Sequence, residues 1–504
     1  MVTQVLGRLA APVLVGLVAL IAAWVAMLPG VAFWDTGELQ TVAPVMGTAH
    51  PTGFPTYVLI GWLASIVLGA FGEPAFRMNL LAGLCVALAA GVTVDLVRDL
   101  TRSTALGLLA GLGLAFTTIV WSIGTHAEAH ALHLALVAVL LRLLVAWETD
   151  RSDRVLVAAA VVFALAMGNH SLTLLLAPGI GLFVIAVEPR ILRRPRLILA
   201  CLAALALTVV LVYLELPLRA GPFRAPLVYG HPDTWEGFWY IVLAEQFRGS
   251  LAPLGDVAGL VGALVRRTIA AFGPLAPLLP LAFAATVIRQ PRYALLTGTG
   301  LVITCLFAAS YVNADIDRYY LGPVLIAWTW IGVGGGVVVD WIDRLLGDAG
   351  PQARGTDRRR AALAIVVAVA LLAPTVDAIP SRHARVDRRL DLEAAAWVDR
   401  AMTVMEPGAV VVSWWSYSTP LWYAQLIEGR RPDIAIIDDR TRLDEGLGGI
   451  TDVIDANLAT RPVYVIRGDP REIALLEARY VLEHLDGPDA GSLTRVVARR
   501  DAGA

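Results

Sequence analysis

Long apolar runs recur along most of this chain, broken by short loops, and they dictate what it can become. About 20 apolar residues span a bilayer's hydrocarbon core as a helix. Runs of that order lie at 10–29, 77–97, 104–122, 128–147, 154–168, 171–187, 197–215, 271–288, 294–312, 319–342 and 362–380. Only 16% of the 504 residues are charged and 57% are hydrophobic, against roughly 25% charged in soluble domains. An ordinary soluble enzyme is excluded. A net charge of −2 with no basic domain gives nucleic acid nothing to grip. Cys85, Cys201 and Cys305 all lie in apolar runs and form neither a disulfide framework nor a thiolate metal site.

The run 56–71, behind Pro55, is short for a span, and positive charge decides its fate. If it does not cross, Arg8, Arg98, Arg102, Arg151, Arg154, the arginines of 190–196, Arg289, Arg292 and those of 344–360 all collect on one side. The loops 30–55, 123–127 and 169–170 on the other side then hold none. If it crosses, the alternation breaks. The expectation is eleven spans, a retained first span, a cytoplasmic N-terminus and 56–71 as an interfacial helix on the outer surface. The run Arg358–Arg360 reads as a topogenic anchor. Three sizeable pieces then face outward: 30–76, 216–270 and the tail 381–504.

Composition changes at Pro380, dividing a membrane bundle, 1–380, from a soluble domain, 381–504. A helix is expected over 392–405 and another opening at Thr419-Pro420, with proline at its first position. Strands are expected at Ala409–Trp414, Asp433–Ile437, Pro462–Ile466 and Leu493–Ala498, separated by helices at 450–459 and 471–484. Strands alternating with helices predict a small α/β domain with a mostly parallel sheet. No glycine-rich phosphate loop follows any strand.

The span centres are nearly bare of ionisable groups, which speaks against ion-coupled transport; the ionisable clusters gather at the outer interface. The richest is Phe33-Trp34-Asp35-Thr36-Gly37-Glu38-Leu39, followed by Gly47-Thr48-Ala49-His50-Pro51-Thr52-Gly53-Phe54-Pro55. By spacing alone Asp35 and Glu38 read as a capping box on a helix 36–46, and His50 before proline as its terminator. One carboxylate can still cap while the other faces a cleft. A second cluster is His126-Ala127-Glu128-Ala129-His130-Ala131-Leu132-His133. On a helix His126/His130 and His130/His133 share a face, whereas Glu128 faces neither His126 nor His130. Asn169-His170 ends another span and could converge on them. A zinc hydrolase on His126, His130 and His133 is one reading; satisfied interfacial histidines are the plainer one. The third cluster is Asn313-Ala314-Asp315-Ile316-Asp317-Arg318-Tyr319-Tyr320. Arg318 can clasp a lipid phosphate bidentately, and Tyr319 and Tyr320 suit the headgroup zone. Arg219, Arg224 and Arg248 are weaker phosphate candidates.

One span, an acidic outer loop, a short interfacial helix and then a polytopic bundle resemble the GT-C glycosyltransferases. More narrowly, Asp35-x-Gly37-Glu38 with Ala49-His50-Pro51-x-Gly53-x-Pro55, and Arg431-Pro432-Asp433 after Trp422-Tyr423, resemble a family of bacterial membrane proteins that includes a vertebrate protein O-mannosyltransferase. The resemblance implies a bundle of about eleven spans with an extracytoplasmic α/β domain in the bacterial plasma membrane. It implies a sugar, mannose among the candidates, moved with inversion from a polyprenyl-phosphate donor to an outer acceptor, protein Ser/Thr among the candidates. It places the base at Asp35. Glu38, His50, His126 and His170 are expected to orient acceptor or base, and Arg318 with Tyr319 to hold the donor phosphate. No cofactor is expected; Asp315-Ile316-Asp317 is the pair a divalent metal could use. A phosphate leaving group needs no strong acid, so one carboxylate suffices. The rival reading is a non-enzymatic translocase or scaffold for lipid-linked glycans.

Overall fold

The computed structural model describes residues 2–251, 255–313, 315–346, 353–485 and 491–500, with backbone only at 2–7 and 353–356. Ala314 of the third cluster and residues 347–352 of the basic stretch lie outside them. Every apolar run named above is helical over most of its length. Among the described residues seven helices are long and apolar enough to cross a membrane: Pro74–Thr101, Ala129–Asp150, Pro195–Ala220, Val257–Arg289, Pro291–Ala309, Ile316–Leu345 and Asp357–Asp377. Shorter apolar helices occupy Arg8–Trp24, Pro55–Val67, Thr104–Ala115 and Ser171–Val187.

The expected eleven full-length spans are therefore not all seen, and local chemistry explains two shortfalls. The run 104–122 breaks between Thr104–Ala115 and Thr118–Ile123. At the break the Thr117 hydroxyl donates to the Gly113 carbonyl at 2.8 Å and accepts Trp328 Nε1–H at 2.9 Å. The run 171–187 starts as a 3₁₀ turn, Ser171–Leu176, because His170 Nδ1 accepts the Leu172 N–H and Pro178 opens the α-helix that follows. Helix Pro55–Val67 has 13 residues, roughly 20 Å at 1.5 Å per residue, too short to cross. It buries Tyr57, Val58 and Gly61 and exposes Trp62, Leu63, Ile66 and Val67.

Packing gathers the chain into two compact units. The first comprises 1–27, 80–213 and 246–389. Its helices meet through small side chains; Val15 and Ala19 pack on Ala87, Ala90 and Val94, and on Ala115, where close approach gains dispersion that lipid cannot supply. Near one span end Arg142 bridges Asp95 and Asp99, each at 2.7 Å.

The second unit comprises 28–79, 214–245 and 390–504. Its sheet has strands β1 (Val410–Ser413), β2 (Ala435–Asp438), β3 (Val463–Ile466), β4 (Tyr480–His484) and β5 (Thr494–Arg499), in the order β2-β1-β3-β5-β4. β1 runs parallel to β2 and β3, while β5 is antiparallel to both β3 and β4. The sheet is thus mixed rather than mostly parallel. β4 was hidden because 471–484 reads as one helix; that helix ends at Glu477, and Tyr480–His484 then alternates buried with exposed. The Val411 face packs on Trp397, Val398 and Leu421, and the Val410/Val412 face on Ile454, Leu476 and Tyr480. Burying each such valine contributes about 1.5–3 kcal/mol. The helix expected to open at Thr419-Pro420 starts earlier, at Trp415. Pro420 is accommodated inside it because the Thr419 hydroxyl donates to the Ser416 carbonyl, 3.1 Å away, which the missing proline N–H cannot reach.

Candidate functional site

Among the described residues each unit holds one pair of a buried glutamate and an imidazole. In the second unit, helix Trp34–Val45 starts after Phe33 with no side-chain cap, and Asp35 lies in its first turn, where the helix dipole favours an anion. The capping box is therefore not formed. Glu38, 0% exposed, turns instead to His50. One carboxylate oxygen accepts the His50 backbone N–H at 2.8 Å, and the other contacts the ring Nδ1. The loop beyond the helix brings His50 back over Glu38. Gly47 N–H bonds the Val42 carbonyl, Thr48 N–H the Leu227 carbonyl, and the Arg219 guanidinium takes the Val45 and Met46 carbonyls at 2.9 and 2.8 Å. Arg219, a phosphate candidate by sequence, thus finishes a helix. Gln40 pins the other end, accepting Ala32 N–H and donating to Gly30 O and to Asn79. Gly37 is required here: a Cβ would stand 2.1 Å from Ala32 O and 2.8 Å from the Thr419 hydroxyl.

The His50 ring meets Phe54 and Trp415 edge-on, at 5.0 and 5.8 Å between centroids. Burial works to lower its proton affinity. The Glu38 charge and hydrogen bond, helped by Asp35, more than offset this, so its pKa is raised above 6.5. Sequence reasoning missed the groups that continue this cluster. Trp415 Nε1–H donates to the Tyr229 hydroxyl at 2.6 Å, and the Arg440 guanidinium lies 4.8 Å from the Tyr229 ring centre. Asp438 accepts from the Thr441 N–H and hydroxyl with one oxygen, while its other oxygen is buried without a hydrogen bond. Burial, then the Asp438 and Glu38 charges, push the Tyr229 phenol well above its usual range. No local spacing announces a cluster drawn from residues 35–50, 229 and 415–440.

In the first unit, helix Ala129–Asp150 begins one residue after Glu128, which is its extended N-cap. Glu128 accepts the His130 backbone N–H at 3.1 Å and lies 2.7 Å from its Nδ1. The expectation that Glu128 would not meet His130 fails because Glu128 is not helical, and His126, outside the helix, shares no helical face with His130. Arg318 reaches Glu128 at 3.1 Å and Asp315 at 3.0 Å. Burial pushes the Glu128 carboxyl up, but Arg318 and then His130 hold it well below the usual range. His170 does converge: its ring centre is 4.7 Å from His130, 5.9 Å from His133 and 5.7 Å from Tyr319. Tyr319 also stacks on Tyr311.

His126 faces elsewhere. It lines a cavity of about 530 Å³ with Arg267, Arg318, Tyr320, Arg385 and Arg388. Burial and then Arg388 push its pKa down to about 3, so it is neutral. Three of those arginines had not been singled out in the sequence. Asp317 pairs with Arg267 at 2.6 Å, as Asp315 does with Arg318. Among the described residues no three His, Cys, Asp or Glu side chains are grouped to hold a metal ion.

Residues 35–191 match the family described as the N-terminal domain of protein O-mannosyl-transferase TMEM260. The match opens at Asp35, where the sequence motif begins. The chain is 27% identical over 431 residues to protein O-mannosyl-transferase TMEM260 of Mus musculus, covering 80% of this chain and 59% of the relative. It is 23% identical over 368 residues to the tmem260 protein of Dictyostelium discoideum, covering 65% and 44%. The chain thus spans less than two thirds of the length of these relatives. A structure of ArnT from Cupriavidus metallidurans bound to undecaprenyl phosphate aligns with a TM-score of 0.59 at 15% identity, over 96% of this chain and 98% of that one. The archaeal oligosaccharyltransferase AglB from Archaeoglobus fulgidus, in complex with an inhibitory peptide and a dolichol-phosphate, aligns at 0.51 and 12% identity, over 98% and 74%. The resemblance drawn from the Asp35–Pro55 motif therefore holds: this is a multi-pass membrane protein with the GT-C fold.

Proposed function

We propose that this GT-C chain with a TMEM260-type N-terminal segment is an inverting glycosyltransferase. It moves a hexosyl group, mannose by analogy with the named relatives, from a polyprenyl-phosphate donor to a hydroxyl outside the cytoplasm, a protein Ser or Thr by the same analogy. The acceptor oxygen attacks the anomeric carbon, its proton passes to Asp35, the bond to phosphate oxygen breaks, and polyprenyl phosphate leaves. The single observation that carries this reading is the Glu38–His50 pair beside Asp35, an acid–imidazole couple whose proton is not pinned by a permanent cation. Glu38 and His50 hold the base and its surroundings in register.

The donor phosphate is the part we propose for Arg318 and Tyr319. Arg318, with Arg267, Arg385 and Arg388 around the same cavity, offers guanidinium forks to a leaving group whose negative charge grows in the transition state. Neutral His126 lines the same cavity, while Tyr319 and His170 pack around His130, next to the Glu128 that Arg318 holds. We assign the bundle eleven crossings, a cytoplasmic N-terminus and an outward tail 381–504 in a bacterial plasma membrane, with Pro55–Val67 laying Trp62, Leu63 and Ile66 into the outer interface.

The test is transfer by the purified protein in detergent, from polyprenyl-phospho-mannose to a Ser/Thr-rich peptide, read by mass spectrometry. Wild type should give product and Asp35→Asn none at equal yield of folded protein. Full activity in Asp35→Asn discards the base. No product with any acceptor leaves the rival translocase, which would share the arginine-lined cavity.

A further inference from the structure

We propose that the first unit binds the headgroup of an anionic phospholipid in a second cavity, at the other end of the helix that follows Arg318. That helix runs Leu321–Leu345. Tyr320 and Val324 touch the cavity described above, whereas Val333, Gly336 and Asp340 line a second one, of about 880 Å³. Val324 and Asp340 are 16 residues apart, roughly 24 Å at 1.5 Å per residue. A helix that crosses the bilayer therefore puts the two cavities at opposite faces, and the second takes no part in the transfer proposed above.

Its charge is specific. Arg102, Arg289 and Arg360 line it, with Asp340 and Asp357. Asp340 receives both Arg289 and Arg360, one on each oxygen. One carboxylate balances only one of the two guanidiniums it gathers. Three cations against two acids leave the cavity one positive charge in excess. Both guanidiniums stay within reach of an incoming group, Arg289 being 46% and Arg360 57% exposed. The run Arg358–Arg360, read from sequence as an anchor, thus has a second use: Arg360 folds onto Asp340, and Arg359 onto Asp343 at 2.6 Å.

Thr101, Ser103, Thr104 and Gln290 add polar groups, and much of the remaining wall is apolar, with Leu106, Val333, Val337 and Ile365. These last four lie on helices Thr104–Ala115, Leu321–Leu345 and Ala353–Asp377. A soluble phosphate gains nothing from those four apolar side chains. A phosphodiester carrying acyl chains uses both halves, its charge on the arginines and the start of its chains along the helices. An arginine near an anionic lipid surface strengthens attraction by about fivefold, so the pair on Asp340 favours one headgroup class over another.

The test is native mass spectrometry of the delipidated full-length protein in detergent, with added phosphatidylglycerol, phosphatidylcholine of matched chains, or inorganic phosphate as competitor. Phosphatidylglycerol should be retained at least about fivefold over phosphatidylcholine. Arg289→Gln with Arg360→Gln should abolish that preference. Asp340→Asn, which removes the acid and keeps both cations, should strengthen it. The Asp340→Asn and Arg102→Gln variants keep the test decisive if the double variant fails to fold, with Arg102→Gln expected to weaken the preference. Equal retention of the two lipids, displacement by millimolar phosphate, or a preference unmoved in the folded variants overturns the proposal. None of these outcomes bears on sugar transfer.

Discussion

Glu38–His50 and Glu128–His130 are built from the same two residue types, and both glutamates are buried, but they are opposite devices. Glu128 has a guanidinium against it at 3.1 Å, so its charge is permanent and its imidazole is an accessory. Glu38 has His50 on both its oxygens, and Arg440, the arginine acting on that imidazole, opposes its protonation. The lesson is that a permanent cation turns a buried acid into scaffolding, while a titratable partner leaves it able to exchange a proton.

The comparison breaks most visibly at Asp35, which stands beside the titratable pair. Asp35→Asn should lower kcat by about 10²–10⁴-fold, the range for a positioned base, with thermal unfolding unchanged; a loss of stability in proportion would make Asp35 structural instead. Next in size is Glu128→Gln. It leaves Arg318 with Asp315 alone and His130 without its buried anion, and should destabilise by about 1–3 kcal/mol, seen as a fall in Tm. An unchanged Tm would show that Glu128 is not scaffolding.

The pH response should then split the two pairs. His50 has a raised pKa in the fold, so its contribution to stability is complete below about pH 6.5, its ordinary value, and is lost as pH rises through the folded value. Glu128 has a lowered pKa, so its contribution is present above the ordinary value near 4.5 and is lost as pH falls from there. Tm against pH should therefore lose its alkaline-side decline in His50→Gln and its acid-side decline in Glu128→Gln. Interchanged effects would refute the assignment. The smallest change is expected for Tyr229→Phe, which removes the acceptor of the Trp415 indole N–H and should cost about 0.5–1.5 kcal/mol. A KM shift without a kcat change would place the Trp415 edge in substrate binding.

Hydropathy made the helices legible because a bilayer imposes one length and one polarity on each span. It could not show that Thr117 would spend its hydroxyl on Gly113 and break the run 104–122. Strand positions were legible to within about two residues from their β-branched composition. β4 was not, since Tyr480–His484 is held by β5, far from the local pattern that hid it. At the site, Asp35, Glu38 and His50 stood out as polar groups in an otherwise apolar setting. Their roles as cap and terminator were misread because spacing describes a helix end and ignores a returning loop. Tyr229, Trp415 and Arg440 were invisible: aromatic and basic residues are common, and only the folded chain brings these three together.

Tyr423 accepts a hydrogen bond from the Ala75 N–H, 348 residues earlier. Thr419 presses on Gly37, and Trp414 meets Trp34 at 5.1 Å. The hairpin bearing Asp35 emerges early from the ribosome, yet the surface it packs on is translated almost four hundred residues later. A membrane-inserted nascent chain thus carries this segment without its packing partners until residues 414–423 have been made. A chain stalled before Trp414 would reach the membrane with Trp34, Gly37 and Ala75 still lacking these contacts.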